Sequence, residues 1–172
     1  MRRIAMIAAL VVAPQPAFSG LAEPELISIL PATKHGAREC GIQADYLLSG
    51  AIMRVELSGA REAGGGRIFI RAYMPNSVGP AMRDLWLKTT TIFSLGSFKP
   101  AKMNSQGILE ASGPLEVKST AAVVREIADG DVEVSLIFDG VLPAARLPLG
   151  LPAPLPADIA ATLNDCASAL EK

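Results

Sequence analysis

Few side chains in this chain of 172 residues are suited to covalent or metal chemistry: the cysteines Cys40 and Cys166, and a single histidine, His35. A cysteine nucleophile needs a neighbouring base to take its proton, usually histidine. His35 precedes Cys40 by five positions, with Arg38 and Glu39 between them and Asp45 and Tyr46 shortly after. That constellation would suit a thiol enzyme. Other readings of the cysteines lack partners. A redox-active pair more typically has Cys-x-x-Cys spacing, which is absent. A structural zinc site takes four Cys or His ligands, and the chain has three such residues. A disulfide between Cys40 and Cys166 needs only the two sulfurs and an oxidising compartment.

The N-terminus supplies the compartment. The chain begins MRRIAMIAALVVAPQPAFSG, with Arg2 and Arg3 ahead of a ten-residue apolar run from Ile4 to Ala13. Pro14 and Pro16 end any helix there, because proline has no amide proton and clashes with the preceding turn. Small residues follow at signal-peptidase spacing, Ala17 and Ser19 or Gly20 and Ala22. This is the three-part grammar of a secretory signal, and the run falls short of the ~20 residues a membrane helix needs. The expectation is a signal peptide over residues 1–22, cleaved after Ser19 or Ala22, and a single domain over 23–172. Loss of Arg2 and Arg3 leaves 14 basic against 17 acidic residues. A mixed, slightly acidic surface gives no electrostatic case for nucleic acid or anionic lipid. No later apolar run is long enough to span a membrane.

The elements that must position these residues are legible in part. LPADIAATLNDCASALEK reads as a closing helix, with Ile159, Leu163, Cys166 and Leu170 on one face. Around Cys40 the pattern fits two templates. Ala37, Cys40, Ala44, Leu47 and Leu48 make a helical stripe, while Cys40, Ile42, Ala44, Tyr46 and Leu48 alternate as in a strand. The scarcity of β-branched residues and the Ser49-Gly50 stop favour the helix. AIMRVELSG alternates, with Met53, Val55 and Leu57 on one face and Arg54, Glu56 and Ser58 on the other. RIFIRAYM alternates as well, so the two should form a hairpin around a long, mobile GAREAGGG connection. Gly64, Gly65 and Gly66 lack the Lys-Ser/Thr ending of a phosphate loop, and no dinucleotide fingerprint exists.

PNSVGP is turn chemistry, and DLWLKTTT favours a strand whose Trp86 should pack in the core. GILEASGPLEVKS reads as two extended pieces broken at Ser112-Gly113-Pro114. A helix from about Ser119 should stop at Gly130, because the competing hairpin register sets Glu126 against Glu133. DVEVSLIF is a strand with Val132, Val134, Leu136 and Phe138 inward, and Asp139-Gly140 then turns the chain. The prolines that follow allow at most an edge strand near ARLPLG. The expected fold is α+β: an antiparallel sheet of about five or six strands, open, sandwiched or barrelled, with two or three helices including a C-terminal one.

One strand face invites a binding role. Ile68, Ile70, Ala72 and Met74 suffice for a core, which leaves Arg67, Phe69, Arg71 and Tyr73 on the other side. Arginine mixed with aromatics is interface composition. The competing view packs Phe69 and Tyr73 under a helix and pairs the arginines with Glu56 and neighbouring acids. No serine sits in a nucleophile elbow, and no carboxylate pair has a spacing that argues for hydrolysis. These residues point to a non-catalytic exported protein that recognises a partner protein or envelope component and needs no cofactor or metal. The alternative is a small periplasmic hydrolase or thiol enzyme working near His35 and Cys40.

The order AAVVREIADGDVEVSLIF, then ARLPLGLP, then an Ala/Leu-rich closing helix resembles the invasion-associated locus B family of exported proteins. The resemblance covers about 50 residues. That family also carries closely spaced mid-chain cysteines, which this sequence lacks. It implies an envelope or host-interaction role and carries over no site residues.

Overall fold

The computed structural model describes residues 22–30, 33–34, 37–48, 50–73, 82–92, 102–103, 108–138 and 145–172. The proposed signal segment up to residue 21, His35, Met74, the PNSVGP turn and the Asp139-Gly140 turn lie outside the described residues.

The largest piece of architecture is an antiparallel sheet. Its strands are β1 (Leu26–Ile29), β2 (Thr33–Lys34), β3 (Ala37–Leu48), β4 (Ala51–Glu62), β5 (Gly65–Tyr73), β7 (Lys102–Met103) and β8 (Ile108–Leu115). They run in the order β1-β3-β4-β5-β8-β7, with β2 pairing β3 beyond the end of β1. A second antiparallel sheet holds β6 (Met82–Thr89), β9 (Val132–Phe138) and β10 (Ala145–Leu149), in the order β10-β9-β6. Two helices, α1 (Val117–Asp129) and α2 (Ala157–Leu170), pack on each other. The fold is α+β, and its strands close no barrel among the described residues. Ala22 nonetheless ties the start of the chain to the second sheet, through a parallel bridge to Leu149.

Alternation decides which faces meet. On β3, β4 and β5, Cys40, Ile42, Ala44, Tyr46, Met53, Val55, Leu57, Ile68, Ile70 and Ala72 all point inward and are buried. Leu85 and Leu87 of β6, Val134 and Leu136 of β9, and Leu147 and Leu149 of β10 face them across one core. The helices cover the remainder of that inner face. Thr120, Ala121, Val123, Val124, Ile127 and Ala128 of α1 are buried, as are Ile159, Leu163, Ala167 and Leu170 of α2. Small residues let α1 come close: a Cβ on Gly66 would collide with Thr120, and one on Gly59 would crowd Val124 and Thr120. Gly130 ends α1 in the left-handed conformation, with φ 74°, as a C-terminal glycine does.

Several expectations are corrected. The Cys40 segment is strand, not helix: β3 pairs with β4 along its length, from Glu39 opposite Ala60 to Leu48 opposite Ala51. Both templates bury Cys40, and it was the availability of a long antiparallel partner that settled the choice. Gly41 belongs to that choice, because a Cβ there would run into the Leu57 carbonyl and Ser58. The glycine run is no long connection: Glu62 and Gly65 are paired, so the hairpin turns on Ala63 and Gly64 alone. Residues 108–115 form one strand, paired with β5 from Gly66 to Tyr73 straight through Ser112, Gly113 and Pro114. Pro114 stands beyond the short stretch where β7 pairs the other side, so only one neighbour depends on it. Trp86 is 37% exposed on the outer face of β6, while its neighbours Leu85 and Leu87 fill the core.

Candidate functional site

The sulfurs of Cys40 and Cys166 are bonded, joining β3 to α2 across a sequence separation of 126 residues. Cys40 is buried in the core, and Cys166 reaches it from the inner face of α2. No thiol is left there to act as a nucleophile. Arg61 on β4 donates from Nη1 to the carbonyl of Leu170 at 3.1 Å, which places a cation at the negative end of the same helix. Tyr46 donates its hydroxyl to the Gly150 carbonyl at 3.0 Å, fixing the loop ahead of α2 to β3. Burial pushes the Tyr46 phenol well above its ordinary pKa.

The other side of the large sheet carries the candidate binding residues. Arg67, Phe69, Arg71 and Tyr73 alternate outward along β5, opposite Ala60, Ser58, Glu56 and Arg54 of β4. Arg71 lies at the centre of an ion cluster. Its Nη1 meets Glu39 Oε1 at 2.6 Å and Glu56 Oε2 at 3.5 Å, and its Nε meets Glu110 Oε2 at 2.7 Å. Phe69 lies beneath it, with its ring centroid 4.5 Å from the guanidinium carbon. Ser58 Oγ, fully buried, donates to Glu39 Oε1 at 2.5 Å. Burial works against the charge of Arg71, but hydrogen bonds to Glu39 and Glu110 outweigh it and hold the guanidinium above its usual pKa. Arg67 is paired with Glu62 at 2.9 Å. The arginines are therefore engaged with acids of this chain, including Glu56. Of the row, Tyr73 is the most open, at 43% exposure.

Tyr73 leads to a patch that the sequence reading did not single out. Opposite it on β4 is Arg54, opposite Arg54 on β3 is Asp45, and opposite Asp45 on β1 is Leu26. Arg54 donates from Nε to Asp45 Oδ1 at 2.9 Å and from Nη2 to Asp45 Oδ2 at 3.0 Å, and that hydrogen bonding raises the Arg54 pKa despite slight burial. Next to this pair Leu47 and Ile52 face each other across β3 and β4. Leu26, Leu47 and Ile52 are 58%, 55% and 59% exposed. Direct cross-strand neighbours lie about 5 Å apart and diagonal ones about 7–8 Å, so Leu26, Leu47, Ile52 and Tyr73 form one continuous strip around the ion pair. Ile52 was the available signal: it falls on the polar side of the β4 alternation, beside Arg54 and Glu56, where an isoleucine has no core to fill.

Ser58 is inaccessible, and among the described residues no group of His, Cys, Asp and Glu is disposed to hold a metal ion. A depression of about 480 Å³ between β6, β9 and the end of α1 is lined by charges that are already paired. Lys88 meets Glu133 at 2.9 Å, and Thr90 donates to Asp131 at 2.9 Å. Among the described residues no helix is long and apolar enough to cross a membrane. No protein-family model matches the chain, and no curated protein or solved structure is significantly similar to it, so its function rests on the geometry of its own surfaces.

Proposed function

We propose that this is a non-catalytic exported protein that recognises a partner protein or envelope component through the outer face of its large sheet, at the end of β5 marked by Tyr73. The observation that carries the reading is the strip of Leu26, Leu47, Ile52 and Tyr73, open to solvent around the Arg54–Asp45 pair. Exposed apolar side chains occur singly on most proteins, but a contiguous group rimmed by charge is what an interaction site presents. Tyrosine and arginine at its margin are the residue types that anchor such sites. Export is supported by the signal-like N-terminus and by the Cys40–Cys166 bond, which persists in oxidising compartments. An envelope role is also what the resemblance of the C-terminal third, from Ala121 through the closing helix, to the invasion-associated locus B family would imply. The thiol-enzyme alternative finds no support in a bonded Cys40.

The test is comparative capture. Tagged protein exported from its host is cross-linked in periplasmic extract, beside an Ile52→Glu variant and a Lys88→Glu control on the opposite sheet. A species captured by the native chain and the control, and lost with Ile52→Glu, supports the reading. Identical capture by all three, or none by any, removes it.

A further inference from the structure

We propose that the open edge of β1 pairs with the same edge of a second copy of this chain, so that the large sheet runs on across a two-fold axis. The proposal does not depend on what the outer face binds. Its first basis is which backbone groups are free. The Leu30 amide donates to the Gly41 carbonyl at 2.9 Å, and the ladder between β1 and β3 is in register from Leu26 opposite Asp45 to Ile29 opposite Ile42. In an antiparallel pair such bonding alternates. Leu26, Ser28 and Leu30 therefore turn their backbone groups toward β3, and Ile27 and Ile29 turn theirs away. Among the described residues, no strand pairs with β1 on that side, and no turn or loop bond reaches Ile27 or Ile29.

Among the described residues, the edges at β7, β6 and β10 carry more protection than the edge at β1. Proteins blunt open edges with short strands, prolines, charges and bulges. β7 is two residues long. β6 has an irregular register between Met82 and Asp84 and carries the exposed Lys88. β10 contains Pro148, whose carbonyl accepts from the Ala22 amide. β1, with the sequence Leu-Ile-Ser-Ile, has no proline or charge among its four residues, although Pro24 and Glu25 directly precede it and the Glu25 amide donates to the carbonyl of Asp45, the residue opposite Leu26. Its inward side chains, Ile27 and Ile29, stay half-exposed although their partners Ala44 and Ile42 are buried. A further strand alongside would cover them.

The pattern suits a second copy. The free groups of Ile27 and Ile29 are placed symmetrically about Ser28. A two-fold axis through Ser28 sets Ile27 opposite Ile29 of the partner subunit, and the converse, forming on the order of four main-chain hydrogen bonds. A two-fold interface requires this self-complementarity. An uncharged strand offers nothing to select a partner of either sign.

So short a seam predicts a weak dimer, to be followed by sedimentation of the purified, oxidised protein from about 1 μM to about 1 mM. Two variants accompany it. Ile27→Pro deletes an amide that points away from β3, so the internal ladder is kept and the donor is lost. Ser28→Lys places like charges at the axis. The expected result is a concentration-dependent dimer whose midpoint moves up by on the order of tenfold or more in both variants. A native protein that stays monomeric throughout, or a dimer indifferent to both changes, overturns the proposal. Amide exchange on the native chain keeps the test decisive if a variant fails to fold. Exchange at Ile27 and Ile29 that slows with concentration supports the pairing, and rates that ignore concentration overturn it.

Discussion

Breaking the Cys40–Cys166 bond should remove much of the stability of this protein. The sulfurs join residues 126 positions apart, so reduction frees a loop that spans most of the chain. On the chain-entropy account, cross-linking a loop of that length costs the denatured ensemble about 5 kcal/mol at 25 °C. Domains of this size are stable by only about 5–15 kcal/mol, so the reduced chain would be marginal. The clean comparison is urea unfolding of the oxidised protein, the same protein with reductant, and a Cys40→Ala/Cys166→Ala double variant. With a slope near 2 kcal/mol per molar urea, the midpoint should fall by about 2.5 M on reduction. The double variant should fall further, because Cys40 is only 1% exposed and alanine leaves space in the core. A shift on reduction below about 0.5 M would refute the reasoning, since the ends of the chain would then be held together without the bond.

Two further outcomes follow from the site. Arg71→Met leaves Glu39, Glu56 and Glu110 gathered without their shared cation, and should cost about 3 kcal/mol in urea unfolding. Adding Glu39→Gln in that background should recover part of the loss, and a double variant no more stable than the single would count against a charge origin. Tyr46 should resist alkali. Its folded-state pKa is raised by burial, so the stability it contributes is complete below the unfolded phenol value of about 10 and is lost as pH rises above it. In a Tyr73→Phe background, phenolate absorbance should appear only together with loss of the circular dichroism of the fold. Ionisation of Tyr46 in a still-folded protein would show that the ring is not held as described.

Much of the fold was legible because burial imposes a period. The α2 stripe from Ile159 to Leu170, the α1 stop at Gly130, the alternation of β4, β5 and β9, and the edge strand at β10 all follow from side chains that must face a core. The disulfide was legible for a different reason: with one histidine and two cysteines in the chain, the sulfurs had few other partners. The site was legible only in part. The β5 alternation places Arg71 outward, and the acids that claim it come from three other strands: Glu39 on β3, Glu56 on β4 and Glu110 on β8.

What the sequence determined by itself, then, is local: which residues alternate, where a helix must end, and which chemistry lacks the side chains to proceed. Tertiary structure decided the rest. It made Cys40 part of a strand by giving β3 a long partner, and it drew the glycine run into a tight turn under α1. It left Trp86 on an outer face, and it assembled Leu26, Leu47, Ile52 and Tyr73 into one strip from four strands. Periodicity is written along the chain, whereas strand register and neighbours are set by the joint packing of both sheets and both helices, which no single segment encodes.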